Sequence, residues 1–185
     1  MSYGIETFVE DCRAAIDRKS RTPDLDAVRR ALERLLANAA FVQVHCGPNV
    51  GDGVRELYRD PEFDFLLLAH VYSKSHTSPP HDHGDSWAVY GQAVGWTDMT
   101  EYDRLDDGAQ PGKADIERTR TYRLNPGEAG YFGPHRIHHI HFSDGARFLR
   151  VTGTDLTGIE TLRYDMAAHT VHKTERRGPS GSVEV

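Results

Sequence analysis

Pro79-Pro80-His81-Asp82-His83-Gly84-Asp85-Ser86-Trp87 carries two histidines at alternate positions. On a strand, alternate side chains share a face, so His81 and His83 point the same way, about 7 Å apart at the backbone. Two imidazoles so placed can reach one metal ion. The two prolines cannot donate ladder hydrogen bonds and mark the mouth of a strand. With eleven histidines in the chain, a His-x-His pair also arises by accident, and a solvated loop pair is the alternative. A second histidine-rich stretch adds weight: Gly133-Pro134-His135-Arg136-Ile137-His138-His139-Ile140-His141. A metal centre draws ligands from distant parts of a chain, and these are the two segments on offer.

Outward from that stretch the texture is that of short strands. Strands are expected at 63–72, 87–96, 100–105, 116–124, 129–132, 137–142 and 148–153. They are punctuated by Asp106-Asp107-Gly108, Asn125-Pro126-Gly127 and Ser143-Asp144-Gly145. Many short strands at fairly even spacing, with no helical period between them, predict a sandwich or barrel rather than an α/β fold. Ahead of them, Ile5, Phe8, Val9, Cys12, Ala15 and Ile16 recur at helical spacing and predict a helix over 4–19. Thr22-Pro23-Asp24 reads as a helix start, and Leu25, Val28, Leu32, Leu35 and Leu36 carry an apolar face to about Ala40. Both stripes are read as faces packed on the domain. Residues 54–60 fit a short helix or a strand equally. The expected organisation is an N-terminal helical segment (1–50), a barrel (51–172) and a flexible tail (173–185).

Composition narrows the function classes. The net charge is −6 and the pI about 6.0. No basic footprint argues for nucleic acid or an anionic membrane as partner. Cys12 and Cys46 are too few for a disulfide framework and are read as reduced thiols. Residues 1–13 lack the pattern of a signal peptide, and the longest apolar run, Phe65-Leu66-Leu67-Leu68-Ala69, is far too short to span a membrane. A cytoplasmic location is expected, as a monomer or homodimer.

The two histidine segments, His81-x-His83 and, 52 positions after His83, His135 behind Gly133-Pro134, resemble the paired metal motifs of the cupin superfamily. Within it, His81-Asp82-His83-Gly84-Asp85-Ser86 is similar to the His-Asp-His-x-Asp-Ser stretch of the cysteine dioxygenase (thiol dioxygenase) family. His135-Arg136-Ile137 is similar to the His-Arg-Val around that family's third ligand. The likeness covers roughly residues 55–155. It implies an all-β double-stranded β-helix (cupin, jelly-roll) with an N-terminal pair of helices. It also implies a mononuclear non-haem Fe(II) held by His81, His83 and His135, and oxidation of a small thiol to a sulfinic acid by dioxygen.

The residues bear on this independently. The glutamate that most cupins add to the first motif falls at Ala88, which cannot ligate. Three neutral imidazoles leave a metal its full charge and open positions for a thiolate and dioxygen. The same set suits catalytic zinc, with nickel and manganese as further alternatives; the spacing gives a metal site and the resemblance selects iron. On a regular strand His135, His139 and His141 share one face and His138 the other, so parity does not single out the third ligand; motif position favours His135.

Other positions follow from the resemblance. The cysteine that animal-type members cross-link to a tyrosine is Ala88 here, and a gap-free register from His135 puts that tyrosine at Thr152 and the outer-shell histidine at Arg150. The cross-link is absent, which counts against cysteine as substrate. In that register Arg150 lies in the barrel, where a guanidinium can clamp a substrate carboxylate. Arg55 is the nearest match to the family's carboxylate-binding arginine, with Arg59 its rival. Salt bridges at the barrel end are the plain alternative for Arg55 and Arg150. Arg150 and Tyr90 are candidate catalytic residues, Tyr90 as a pocket hydroxyl. His139 is a candidate to support a ligand from behind, and Asp82 and Asp85 to accept the ligands' second N–H or to serve as turn acids. His70 is read as a core residue, His76 as a loop residue, Trp87 and Trp96 as core.

The expected function is thus an iron-dependent dioxygenase acting on a small thiol, with a carboxylate the expected second group. A cupin using another divalent metal for hydrolysis, isomerisation or elimination is the second expectation. A non-catalytic small-molecule-binding cupin is the third.

Overall fold

The computed structural model describes residues 3–175; residues 176–185 of the expected tail lie outside the described residues. Three helices come first. α1 (Ile5–Ala14) stops short of residue 19. Asp17 accepts the backbone N–H of Lys19 and Ser20 at 3.0 and 2.7 Å, and Arg21 at φ 60° completes the turn. α2 (Leu25–Leu36) begins behind Asp24, which accepts from the Ala27 amide, so Pro23 precedes the cap. A third helix, α3 (Ala39–Cys46), adds to the expected pair. Asn38 separates it from α2 by capping the Phe41 amide at 3.1 Å.

The strands are β1 (Gly53–Arg59), β2 (Leu66–Val71), β3 (His76–Thr77), β4 (Ala88–Val94), β5 (Thr97–Arg104), β6 (Ile116–Leu124), β7 (Ala129–Phe132), β8 (Ile137–Phe142), β9 (Arg147–Thr152), β10 (Glu160–Asp165) and β11 (Thr170–Glu175). The undecided segment 54–60 is thus an edge strand. Residues 173–175, expected in the tail, close the β10–β11 hairpin. One sheet has the order β1-β2-β9-β4-β7 and the other β3-β8-β5-β6, all pairs antiparallel. From β2 to β9 the chain steps back and forth between the sheets, staying in one sheet only for the β5–β6 hairpin. That order is the double-stranded β-helix expected from the sequence.

Strand parity divides the core in two. Leu67, Ala69, Val89, Leu149 and Val151 pack with Phe8, Val28, Leu32 and Leu35 on the helix side of the first sheet. Ala88, Tyr90, Phe132 and Phe148 point the other way and meet Met99, Ile140 and Phe142 of the second sheet. α2 approaches β4 closely because residue 91 is glycine: a Cβ there would lie 2.8 Å from Leu32 and Leu36 side-chain atoms. α1 is fastened by Asp60, buried at the turn after β1. The Asp60 carboxylate accepts from Arg13 Nε at 2.7 Å, from Tyr58 Oη at 3.1 Å and from the amides of Glu62 and Phe63.

Two outcomes follow. Gly91→Val, by forcing α2 away from the sheet, should cost ~1–3 kcal/mol in urea unfolding. For Asp60, burial alone would raise the carboxyl pKa, but the Phe63 amide, Arg13 and the Glu62 amide outweigh it and hold it below the usual range. Its stabilisation is present above the unfolded-state value, near 3.9, and fades as pH falls through the lower folded value. Asp60→Asn should therefore destabilise at pH 7 and lose less stability than wild type between pH 5 and pH 2, read from urea midpoints across that range.

Candidate metal centre

His81 and His138 face each other in an antiparallel bridge. Each amide donates to the other's carbonyl at 2.9 Å. Such a hydrogen-bonded pair puts both side chains on one face, and the two imidazole centroids lie 4.6 Å apart. His83 completes the group, 5.2 Å from His81 and 4.7 Å from His138 between centroids. All three are buried, and each offers a nitrogen within 4.8 Å of the others. The group can hold a metal ion: three nitrogens at about 2.1 Å from one ion need only small ring rotations to converge from such a spacing.

The rings are oriented by backbone. His81 Nδ1 pairs with the Pro79 carbonyl at 2.9 Å and His138 Nδ1 with the Arg136 carbonyl at 2.8 Å. When those nitrogens carry the protons, each Nε2 presents a lone pair. Phe132 stacks on the His138 ring, 3.8 Å between centroids and 16° from parallel. A buried carboxylate locks the loop: Asp82 Oδ1 accepts the amides of Gly84 at 3.1 Å and Leu162 at 3.0 Å, tying the β10–β11 hairpin to the His81-x-His83 segment.

The third member of the group is thus His138, and His135, expected in that place, lies outside it. Gly133-Pro134-His135-Arg136 is a turn ahead of β8, with the Arg136 amide bonded to the Gly133 carbonyl and His135 at φ 56°. The His135 side chain is 65% exposed and its Nε2 pairs with Asp85 at 2.8 Å. Counting parity from His135 counts from outside the strand. The signal that could have found His138 is His138-x-Ile140-x-Phe142, whose two apolar members lie in the inner core.

Asp85 faces solvent and binds His135, and Asp82 binds backbone amides, so backbone carbonyls take the part expected of these acids. His139 lies on the opposite face of β8 from His138; its Nδ1 pairs with Tyr102 Oη at 2.7 Å, and burial foremost, then Arg118 and His141, push its pKa down. Arg55 lies away from the three histidines. It pairs with Ala69, whose side chain packs on the helix side, and donates to the carbonyls of Gly51 and His45. Arg59 is held by Glu56 and Asp155 at 2.7 and 2.8 Å. Glu101, opposite His138 on β5, is held by Arg136 Nε at 2.9 Å.

Tyr90 and Arg150 do lie on the inner wall. They are cross-strand partners on β4 and β9, and Leu68 of β2 flanks Arg150 on its other side. Phe148, two residues from Arg150, belongs to the inner core, while Leu149 and Val151 belong to the helix side. His70 is buried and stacks on Phe148 at 4.7 Å, Trp87 is in the helix-side core, and Trp96 lies under Arg123 at the rim. His76, expected in a loop, is on β3 and packs against Phe142 at 5.9 Å. Cys12 and Cys46 are free and buried, and burial raises both thiol pKa values, that of Cys46 to about 11. No helix among the described residues is long and apolar enough to cross a membrane.

No family model and no curated protein matches the chain. Among solved structures it is similar to KdgF from Halomonas sp., at TM-score 0.40 and 14% identity over 54% of this chain and 74% of that one. It is also similar to a cupin superfamily protein from Desulfitobacterium hafniense, at TM-score 0.41 and 13% identity over 58% and 84%. A third is an oxalate oxidase in complex with glycolate, at TM-score 0.39 and 16% identity; there the match spans 57% of this chain and 53% of that one. Resemblance this slight says nothing about the reaction.

The geometry sets an outcome for metal loading. Metal analysis after Fe(II) or Zn(II) reconstitution and desalting should find about one ion per chain in wild type and in His135→Ala. His138→Ala should retain little or none.

Proposed function

We propose that the chain is a non-haem Fe(II) dioxygenase of the thiol dioxygenase type, converting a small thiol to its sulfinic acid. The observation that carries the proposal is the donor set: three buried imidazoles converge, and no carboxylate belongs to the group. Ala88 occupies the place of the expected glutamate, on the inner wall and opposite Phe132 on β7. An Fe(II) held by His81, His83 and His138 would supply a redox-active centre with open positions at which a thiolate and dioxygen can meet. The balance is RS⁻ + O2 → RSO2⁻: both oxygen atoms pass to sulfur, which loses four electrons, and the thiol proton leaves to solvent.

The chain's own groups do the rest. The carbonyls of Pro79 and Arg136 keep two imidazoles aimed inward with their second nitrogens engaged. Phe132 and Phe148 line the inner core and restrict water. Tyr90, between those two rings, brings its hydroxyl to the same wall.

Oxygen uptake by anaerobically Fe(II)-loaded protein tests the proposal, with 3-mercaptopropionate, mercaptosuccinate, cysteine and cysteamine as substrates and sulfinate followed by mass. Uptake should match sulfinate formed, vanish in His138→Ala and persist in His135→Ala. Protein holding iron that takes up no oxygen with any thiol would overturn it. Turnover in which a redox-inert metal serves as well as iron would point to the non-redox reading of the same three histidines.

A further inference from the structure

Arg150 is 4% exposed, and its Nε and Nη2 are buried without a hydrogen-bond partner among the described residues. Two residues along the same face of β9, the Thr152 hydroxyl is likewise buried and unpartnered. A guanidinium is charged at any physiological pH, and burying it without a counter-charge is costly. Its neighbours on the wall, Tyr90 and Leu68, carry no charge. The described buried residues include only two carboxylates, Asp60 and Asp82. Asp60 is tied to Arg13, and Asp82 to the amides of Gly84 and Leu162.

Register relates this arginine to the three histidines. Thr152, Ala88 and Phe132 form one row across β9, β4 and β7, and the Phe132 ring stacks on His138. Arg150 and Tyr90 form the next row, about 7 Å along the strands. A short molecule can span that gap.

We infer that Arg150, with Tyr90 and Thr152 beside it, holds the carboxylate of the substrate, and that this substrate is a small mercaptocarboxylate without an ammonium group. The carboxylate supplies the counter-charge that the wall lacks, through two parallel N–H···O bonds. An ammonium would meet that fixed positive charge, and the acid across from His138, Glu101, is already engaged by Arg136 at 2.9 Å. This rests on the thiol reading for the sulfur end alone; the carboxylate end rests on Arg150.

Calorimetry on Zn(II)-loaded protein, which binds without turnover, tests it with four probes: 3-mercaptopropionate, 2-mercaptoethanol, cysteamine and 3-hydroxypropionate. Wild type should bind 3-mercaptopropionate ~10–100-fold more tightly than 2-mercaptoethanol, the range expected of a charge-assisted contact, and cysteamine most weakly. Arg150→Gln should erase the preference for the acid and leave 2-mercaptoethanol unchanged; Arg150→Lys should keep part of it. Equal wild-type affinity for 3-mercaptopropionate and cysteamine would overturn the inference without recourse to a variant. So would an acid preference that survives in folded Arg150→Gln, with folding checked by circular dichroism. If 3-hydroxypropionate binds as tightly as 3-mercaptopropionate and depends equally on Arg150, the carboxylate site stands and the thiol reading falls.

Discussion

Two hydrogen bonds organise this molecule: the reciprocal amide–carbonyl pair between His81 and His138, each 2.9 Å. An antiparallel pair of this kind fixes both side chains on one face at close range. It lays the segment after β3 alongside β8 and sets two imidazoles side by side. The His81-x-His83 spacing brings in the third. Asp82, alternating with the histidines, turns instead to the β10–β11 hairpin and fastens it. One short stretch thus sends its odd positions to the metal group and its even position to the scaffold.

The five-stranded sheet divides its labour by parity. One face is closed by α1, α2 and α3, which dock tightly where Gly91 admits Leu32 and Leu36. The other face is walled by aromatic and aliphatic side chains and carries Tyr90, Arg150 and Thr152 among them. The helices therefore supply stability without entering the site, and the polar groups of the inner wall are free to serve a ligand.

Charge is distributed to match. Glu101, directly across from His138, is drawn to Arg136, which also binds Asp103 at 2.6 Å. Asp85 is in solvent with His135, and Arg55 and Arg59 are engaged elsewhere. Inside lie the three imidazoles of the group and the Arg150 guanidinium, with His70 stacked on Phe148 of the same wall. Such an interior is suited to a cation held by neutral donors and to an anion beside it.

The sequence by itself determined the strand texture, the helix stripes and the His81-x-His83 half of the centre. These rest on local periodicity, which the backbone enforces at every position. It did not determine the third histidine. Among four histidines within seven residues, the choice depends on where β8 begins, and that is set by the turn at Gly133–Arg136 and by which neighbours, Ile140 and Phe142, the core admits. The fate of the charged candidates was equally beyond it. Arg55 and Arg150 look alike as residues, but one lies opposite Ala69 on the helix side and the other opposite Tyr90 on the inner wall. Only pairing between strands distant in the chain decides which face, and therefore which chemistry, each side chain joins.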